Sequence, residues 1–148
     1  MHGAHILTIC SQRYYLLKCL KGQGLPGNEL NTVFYALIVS RILYALPAWG
    51  GFLTADLTAK TDALLRKAVR WGYSCELKCL SDLLHEAEKT LFSRMLTSGH
   101  CIHQLILPPT KVIPMKLRSS QCVFALPHCH YNFYKYSFVI RNLFDQAY

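Results

Sequence analysis

Catalysis by paired acids is the first chemistry to look for, and the chain offers Glu29, Asp56, Asp62, Glu76, Asp82, Glu86, Glu88 and Asp145 for it. Two-metal phosphoryl transfer needs carboxylates that hold two cations a few ångströms apart. No two of these acids are adjacent in sequence. Glu86 and Glu88 point different ways on a helix, while Asp82 and Glu86 share a face where helix charge placement accounts for them. Thiols and imidazoles come next. Cys75 and Cys79 are four apart, His100, Cys101 and His103 cluster, and so do His128, Cys129 and His130. A structural zinc site commonly takes four ligands as two tightly spaced pairs, and this spacing does not match a familiar knuckle. Cys19, Cys75 and Cys122 read more simply as small core residues. A Cys–His nucleophile pair has no orienting partner or oxyanion signature beside it. Gly-rich phosphate loops and serine elbows are missing from the sequence. The expectation is a non-enzyme, with no catalytic residue, no metal ligand and no cofactor assigned.

Cations give a clearer pattern. Arg13, Lys18 and Lys21 fall within one helical stretch, and Lys60, Arg66, Lys67 and Arg70 within another. Ammonium and guanidinium groups along one helix face can neutralise successive phosphates, positioning a duplex without reading its bases. The plainer alternative is a solvated basic face opposite a core face. Net charge is +8, from 16 Lys and Arg against 8 Asp and Glu, which suits a polyanionic partner.

The elements that must carry these side chains are helical. A first helix is expected from about Ser11, as N-cap, to Lys21, stopped by Gly22 and Gly24. A second is expected from about Asn28 to Leu46, capped by Asn28 and ended by Pro47, Gly50 and Gly51. A third should run from Ala55 to Trp71 behind a Thr54 cap, ended by Gly72. A fourth should run from Ser81 to about Thr97, with Gly99 beyond it. Pro108, Pro109 and Pro114 then mark a loop. A short extended piece around Cys122 to Leu126 and a last helix from Asn132 to Gln146 complete the reading. The expected fold is mostly α, a small bundle of three to four helices with an irregular C-terminal third. Residues 1–100 form the helical region and 101–148 the extension. Phe34, Leu37, Ile38, Leu64, Ala68 and Trp71 are the expected core. Tyr44, Trp49 and Trp71 are read as core anchors, with stacking on bases or sugars as the alternative.

Composition bounds the rest. In 148 residues, 52% are hydrophobic and only 16% charged, against roughly 25% charged in an average domain. Such a chain can build a core, and it leaves apolar surface that few charges cover, as a piece of a larger protein does. Seven cysteines without a secretory signal imply reduced thiols in an intracellular protein, cytoplasmic or nuclear. From Val33 to Leu53 the only charge is Arg41. A membrane span is not favoured there, because Arg41 would sit near mid-bilayer and Pro47 interrupts the helix.

Several blocks in order resemble one family. Ser11-Gln12-Arg13-Tyr14-Tyr15-Leu16-Leu17-Lys18, then Gly24-Leu25-Pro26 and Glu29-Leu30, is similar to the region just after the catalytic palm of non-LTR (LINE-type) retrotransposon reverse transcriptases. The most specific part is Val33-Phe34-Tyr35-Ala36-Leu37-Ile38, Ser40-Arg41-Ile42-Leu43-Tyr44-Ala45 and Pro47-Ala48-Trp49-Gly50, which resembles the family's Tyr-Ala-x-Pro-x-Trp signature. Ala63-Leu64-Leu65-Arg66-Lys67-Ala68 also fits, as do Leu117-Arg118, Leu126-Pro127, Ser137-Phe138 and Arg141-Asn142-Leu143-Phe144. The resemblance spans nearly the whole chain. It implies a helical thumb and C-terminal extension of such a transposable-element enzyme, packing on an RNA–DNA or DNA duplex through the seven cations named above. It also implies a palm domain as intramolecular partner, which would carry the catalytic acids this chain lacks. The alternative from another class is a protein- or membrane-interaction module that docks through exposed apolar helix faces.

Overall fold

The computed structural model describes residues 2–97, 99–101, 103, 128 and 131–145. They are mostly helical, and no strand occurs among them. The expected extended piece at Cys122 to Leu126 and the proline loop lie outside the described residues. Two compact units divide the chain, Met1–His85 and Glu86–Tyr148.

The first unit opens with α1, His2–Gly22. It starts nine residues before the expected Ser11, because that serine does not cap. Its hydroxyl donates instead to the Leu7 carbonyl one turn back, 2.9 Å away, and the helix runs through it. Ile6, Cys10, Tyr14 and Leu17 form the buried stripe, at helical spacing. Gly24, with φ of +87°, turns the chain after the helix.

The second helical stretch is broken where the sequence suggested continuity. It consists of α2 (Gly27–Phe34), a π turn at Tyr35–Val39 and α3 (Ser40–Leu43). Pro26, rather than Asn28, precedes the first turn, and Asn28 makes no cap. Burial passes through Leu30, Phe34, Ile38, Val39 and Ile42, while Val33 and Leu37 are only half-buried. The wide turn rotates the buried face and so brings Val39 inward, where an unbroken 3.6-residue period puts Leu37.

Helix continuity is lost at Leu43, before Pro47. Ala45 takes a left-handed conformation with φ of 52°, and Pro47 lies within the first turn of α4, Leu46–Trp49, where a missing N–H costs nothing. A turn of 3-10 helix, Gly50–Phe52, follows. An L-residue in the left-handed region is strained by about 1–2 kcal/mol, whereas glycine is at home there. Ala45→Gly is therefore expected to raise stability by about 0.5–1 kcal/mol after glycine's own entropy cost. A shift of the urea midpoint to lower concentration would contradict that.

Helix α5, Ala55–Arg70, matches its expected start. The Thr54 hydroxyl accepts from the Leu57 amide at 3.4 Å. Three contacts along their length make α1 and α5 neighbours running in the same direction. A Cβ on Gly3 would lie 2.8 Å from the Leu53 side chain and 3.6 Å from that of Leu57. The Tyr14 hydroxyl donates to the Leu64 carbonyl at 2.6 Å, and Lys21 Nζ donates to the Trp71 carbonyl at 2.5 Å. Helix α6, Leu80–Met95, receives its cap from a distance. The Asp62 carboxylate on α5 accepts the Leu80 amide at 2.7 Å, placing negative charge at a helix N-terminus.

Among the described residues no single helix is long and apolar enough to cross a membrane. The bent pair Gly27–Leu43 and Leu46–Phe52, at 42° to each other, has the length and composition. Its residues Leu30, Phe34, Ile38, Ile42 and Leu46 are buried in the core of this unit.

In the unit Glu86–Tyr148, the expected last helix is two short ones, α7 (Asn132–Lys135) and α8 (Phe138–Asp145). Phe92, Met95, Val139 and Leu143 are buried, and the Phe92 and Phe138 rings meet edge to face at 6.4 Å. An ion pair lies among them. Arg141 Nη2 donates to the buried Glu88 carboxylate, and Nη1 donates to the Tyr136 carbonyl at 2.7 Å. Burial lowers the pKa of Arg141 from its ordinary value, against the opposing charge of Asp145.

Candidate nucleic-acid interface

The end of α5 is built by its glycine. Gly72, with φ of +71°, reverses the chain. Its amide donates to the Val69 carbonyl at 2.9 Å and the Tyr73 amide to the Ala68 carbonyl at 2.8 Å, the two bonds of a Schellman cap. That cap folds Tyr73 back onto the helix, where it is buried against Tyr14. The rings of Tyr14, Trp71 and Tyr73 then meet pairwise with centroids 5.8–6.0 Å apart, and Trp71 stands edge-to-face to both tyrosines.

Two lysines from different helices converge on this cluster. Lys67 Nζ lies 4.2 Å from the Trp71 ring centroid and 6.0 Å from that of Tyr14. Lys21 Nζ lies 5.7 Å from the Tyr73 centroid while donating to the Trp71 carbonyl. Cations over ring faces are attracted by the ring quadrupole, and cations at a helix C-terminus by its dipole. Trp71, expected in the core, is instead 38% exposed. The Gly72 reversal takes it out of the helix period and leaves Tyr73 as the buried ring.

The remaining sequence-selected cations divide by environment. Arg66 and Arg70 on α5 and Lys18 on α1 are exposed, and none of them forms a hydrogen bond or ion pair among the described residues. Lys60 pairs with Asp56 at 2.6 Å, with both side chains more than half exposed, so the pair is weak and easily exchanged. Arg13 is not in the exposed set. It is half-buried, and its guanidinium donates to the Leu37 carbonyl in the π turn. A π turn breaks the ordinary ladder and leaves a carbonyl for such a donor.

Of the aromatic signature, Tyr44 lies outside its expected place in the core, whereas Trp49 packs against the core partly buried. Tyr44 is 67% exposed because the helix ends at Leu43, and Trp49 is half-buried with its indole N–H on the Tyr44 carbonyl at 2.9 Å. Cys19 and Cys75, expected in the core, are exposed, whereas Cys10 is buried and burial raises its thiol pKa. Cys122 lies outside the described residues. No three His, Cys, Asp or Glu side chains come together to hold a metal among the described residues.

Comparison with protein-family models, with curated proteins and with solved structures gave no match.

Proposed function

We propose that the chain is a non-catalytic nucleic-acid-binding module of the kind that serves as the thumb of a non-LTR retrotransposon reverse transcriptase, holding a duplex by its phosphates. The observation that carries this reading is the convergence of Lys21 and Lys67, from two helices, on the half-exposed Trp71 cluster, with Arg66 and Arg70 exposed on the same helix. Lys18, one turn before Lys21, extends the basic surface along α1. Such groups release counterions from a duplex and set its register without reading sequence. In this reading the polymerase chemistry belongs to a palm domain that would be the module's partner.

Changing Arg66, Lys67 and Arg70 together to Ala tests it. Duplex affinity at about 0.1 M salt is expected to fall at least tenfold, and the slope of log K against log salt to become shallower by about 2–3. Helicity by circular dichroism should stay unchanged, because Arg66, Lys67 and Arg70 are all exposed. Unaltered binding in the folded variant removes α5 as the duplex-facing element. An apolar docking module would bind its partner with little dependence on salt, which separates that reading from this one.

A further inference from the structure

A surface cavity of about 170 Å³ lies on the unit Met1–His85, lined by His5, Ile6, Ile9, Arg41 and Tyr44. Ile6 is 4% exposed and Ile9 half-buried, so the apolar side chains make the floor. His5, Arg41 and Tyr44 are exposed and make the rim. The local sequence explains the arrangement. His5 and Ile9 are one turn apart on α1, and Arg41 and Tyr44 are three residues apart at the end of α3. Ala45, in its left-handed conformation, ends the helix there and leaves Tyr44 outside the core.

The described rim residues are all hydrogen-bond donors of the kind that meet an anion: a guanidinium, an imidazole and a phenol. Among the described residues, which include every Asp and Glu, no carboxylate lines the cavity and Arg41 forms no ion pair or hydrogen bond. A guanidinium fork matches a carboxylate with two parallel hydrogen bonds. An apolar floor beneath a few convergent polar groups is the usual make-up of a small-molecule site. A cavity of roughly 150 Å³ is enough for a benzene ring.

We propose that this cavity binds a small organic acid, one ring or a short acyl chain bearing a carboxylate, with Arg41 and Tyr44 on the carboxylate and Ile6 and Ile9 under the apolar body. His5 closes the rim with a ring N–H that can donate to the same anion. The site shares no residue with the duplex-facing set and stands or falls apart from it.

The test is a titration of the full chain followed by NMR of the isoleucine methyls and the histidine ring protons. The ligands are benzoate, hexanoate, inorganic phosphate and the neutral isostere benzamide. Benzoate or hexanoate is expected to shift Ile6, Ile9 and His5 saturably, with an affinity on the order of 1 mM. Benzamide is expected to bind at least tenfold more weakly, and Arg41→Gln to abolish the benzoate shifts. Equal binding of benzamide, shifts from phosphate alone, or no saturable shift with wild-type protein overturns the proposal. The wild-type comparison of benzoate with benzamide decides it even if the variant misfolds.

Discussion

Replacing Glu88 with Ala is expected to destabilise the unit Glu86–Tyr148 by about 3–5 kcal/mol, the usual cost of stranding one member of a buried ion pair. The Glu88 side chain is 7% exposed and that of Arg141 18%. With the carboxylate gone, Arg141 keeps its bond to the Tyr136 carbonyl and the charge of Asp145 beyond ion-pair distance, and its Nε already has no partner. An isolated guanidinium cannot neutralise itself, because its pKa lies too high. It must then leave the interior, and α8, which carries Val139 and Leu143 into the same core, loses its seat. Hydrogen exchange of the α8 amides measures the effect. A loss of protection across Phe138–Asp145 with α5 unaffected is the expected pattern. A cost below about 1 kcal/mol would mean the pair behaves as a surface ion pair. The double change Glu88→Leu with Arg141→Leu should recover much of the loss, since matched apolar groups need no counter-charge.

Tyr14→Ala is expected to cost about 3–5 kcal/mol, as large aromatic deletions from cores do. Tyr14 is 7% exposed and touches the rings of Phe34, Trp71 and Tyr73. Its loss opens a cavity beneath the basic cluster, and duplex binding should fall with stability. Tyr14→Phe is the informative companion. It removes only the hydroxyl that donates to Leu64, and is expected to cost about 1 kcal/mol. The cations and Trp71 should stay in place, so binding should survive. Burial, then the neighbouring Cys10 and Tyr73, raise the Tyr14 phenol well above its ordinary value of 10.0. The folded state therefore holds the proton more tightly than the unfolded state does. This contribution to stability is complete below about pH 10 and is lost as pH climbs beyond it, because only the unfolded chain ionises readily there. Urea midpoints at about pH 8 and about pH 11 should fall further apart in wild type than in Tyr14→Phe. Parallel losses in both proteins would place the alkaline sensitivity elsewhere.

Helix type was legible from periodicity, boundaries much less so. The stripe Leu64, Leu65 and Ala68 and the Thr54 cap follow from spacing and local hydrogen bonding, and α5 matches its expected start. Ser11 shows why the start of α1 was missed. A serine caps or back-bonds according to where the preceding residues sit, and Ile6 and Cys10 already had helical spacing with Tyr14. The π turn at Tyr35–Val39 has no composition signal, since it arises from packing, and it carried Val39 inward and gave Arg13 its carbonyl acceptor. Pro47 misled in the usual way, as a helix breaker that here sits in a first turn. At the basic cluster, the cations were legible and their convergence was not. Lys21 and Lys67 are far apart in sequence and meet only because α1 and α5 run side by side. The pattern Trp71-Gly72-Tyr73 did hold a usable signal. Glycine just past a helix followed by an apolar residue marks a Schellman cap, in which the second ring and not the first is buried. The Glu88–Arg141 pair, 53 residues apart, had no local signal.

The most direct measurement is binding of the purified full chain to an RNA–DNA hybrid and to double-stranded DNA, titrated at several salt concentrations. Micromolar or tighter binding is predicted, with log K falling by about 4.5 per decade of salt, as five exposed cations (Lys18, Lys21, Arg66, Lys67 and Arg70) would give. Absent binding to either duplex, or binding that does not change with salt, would contradict it.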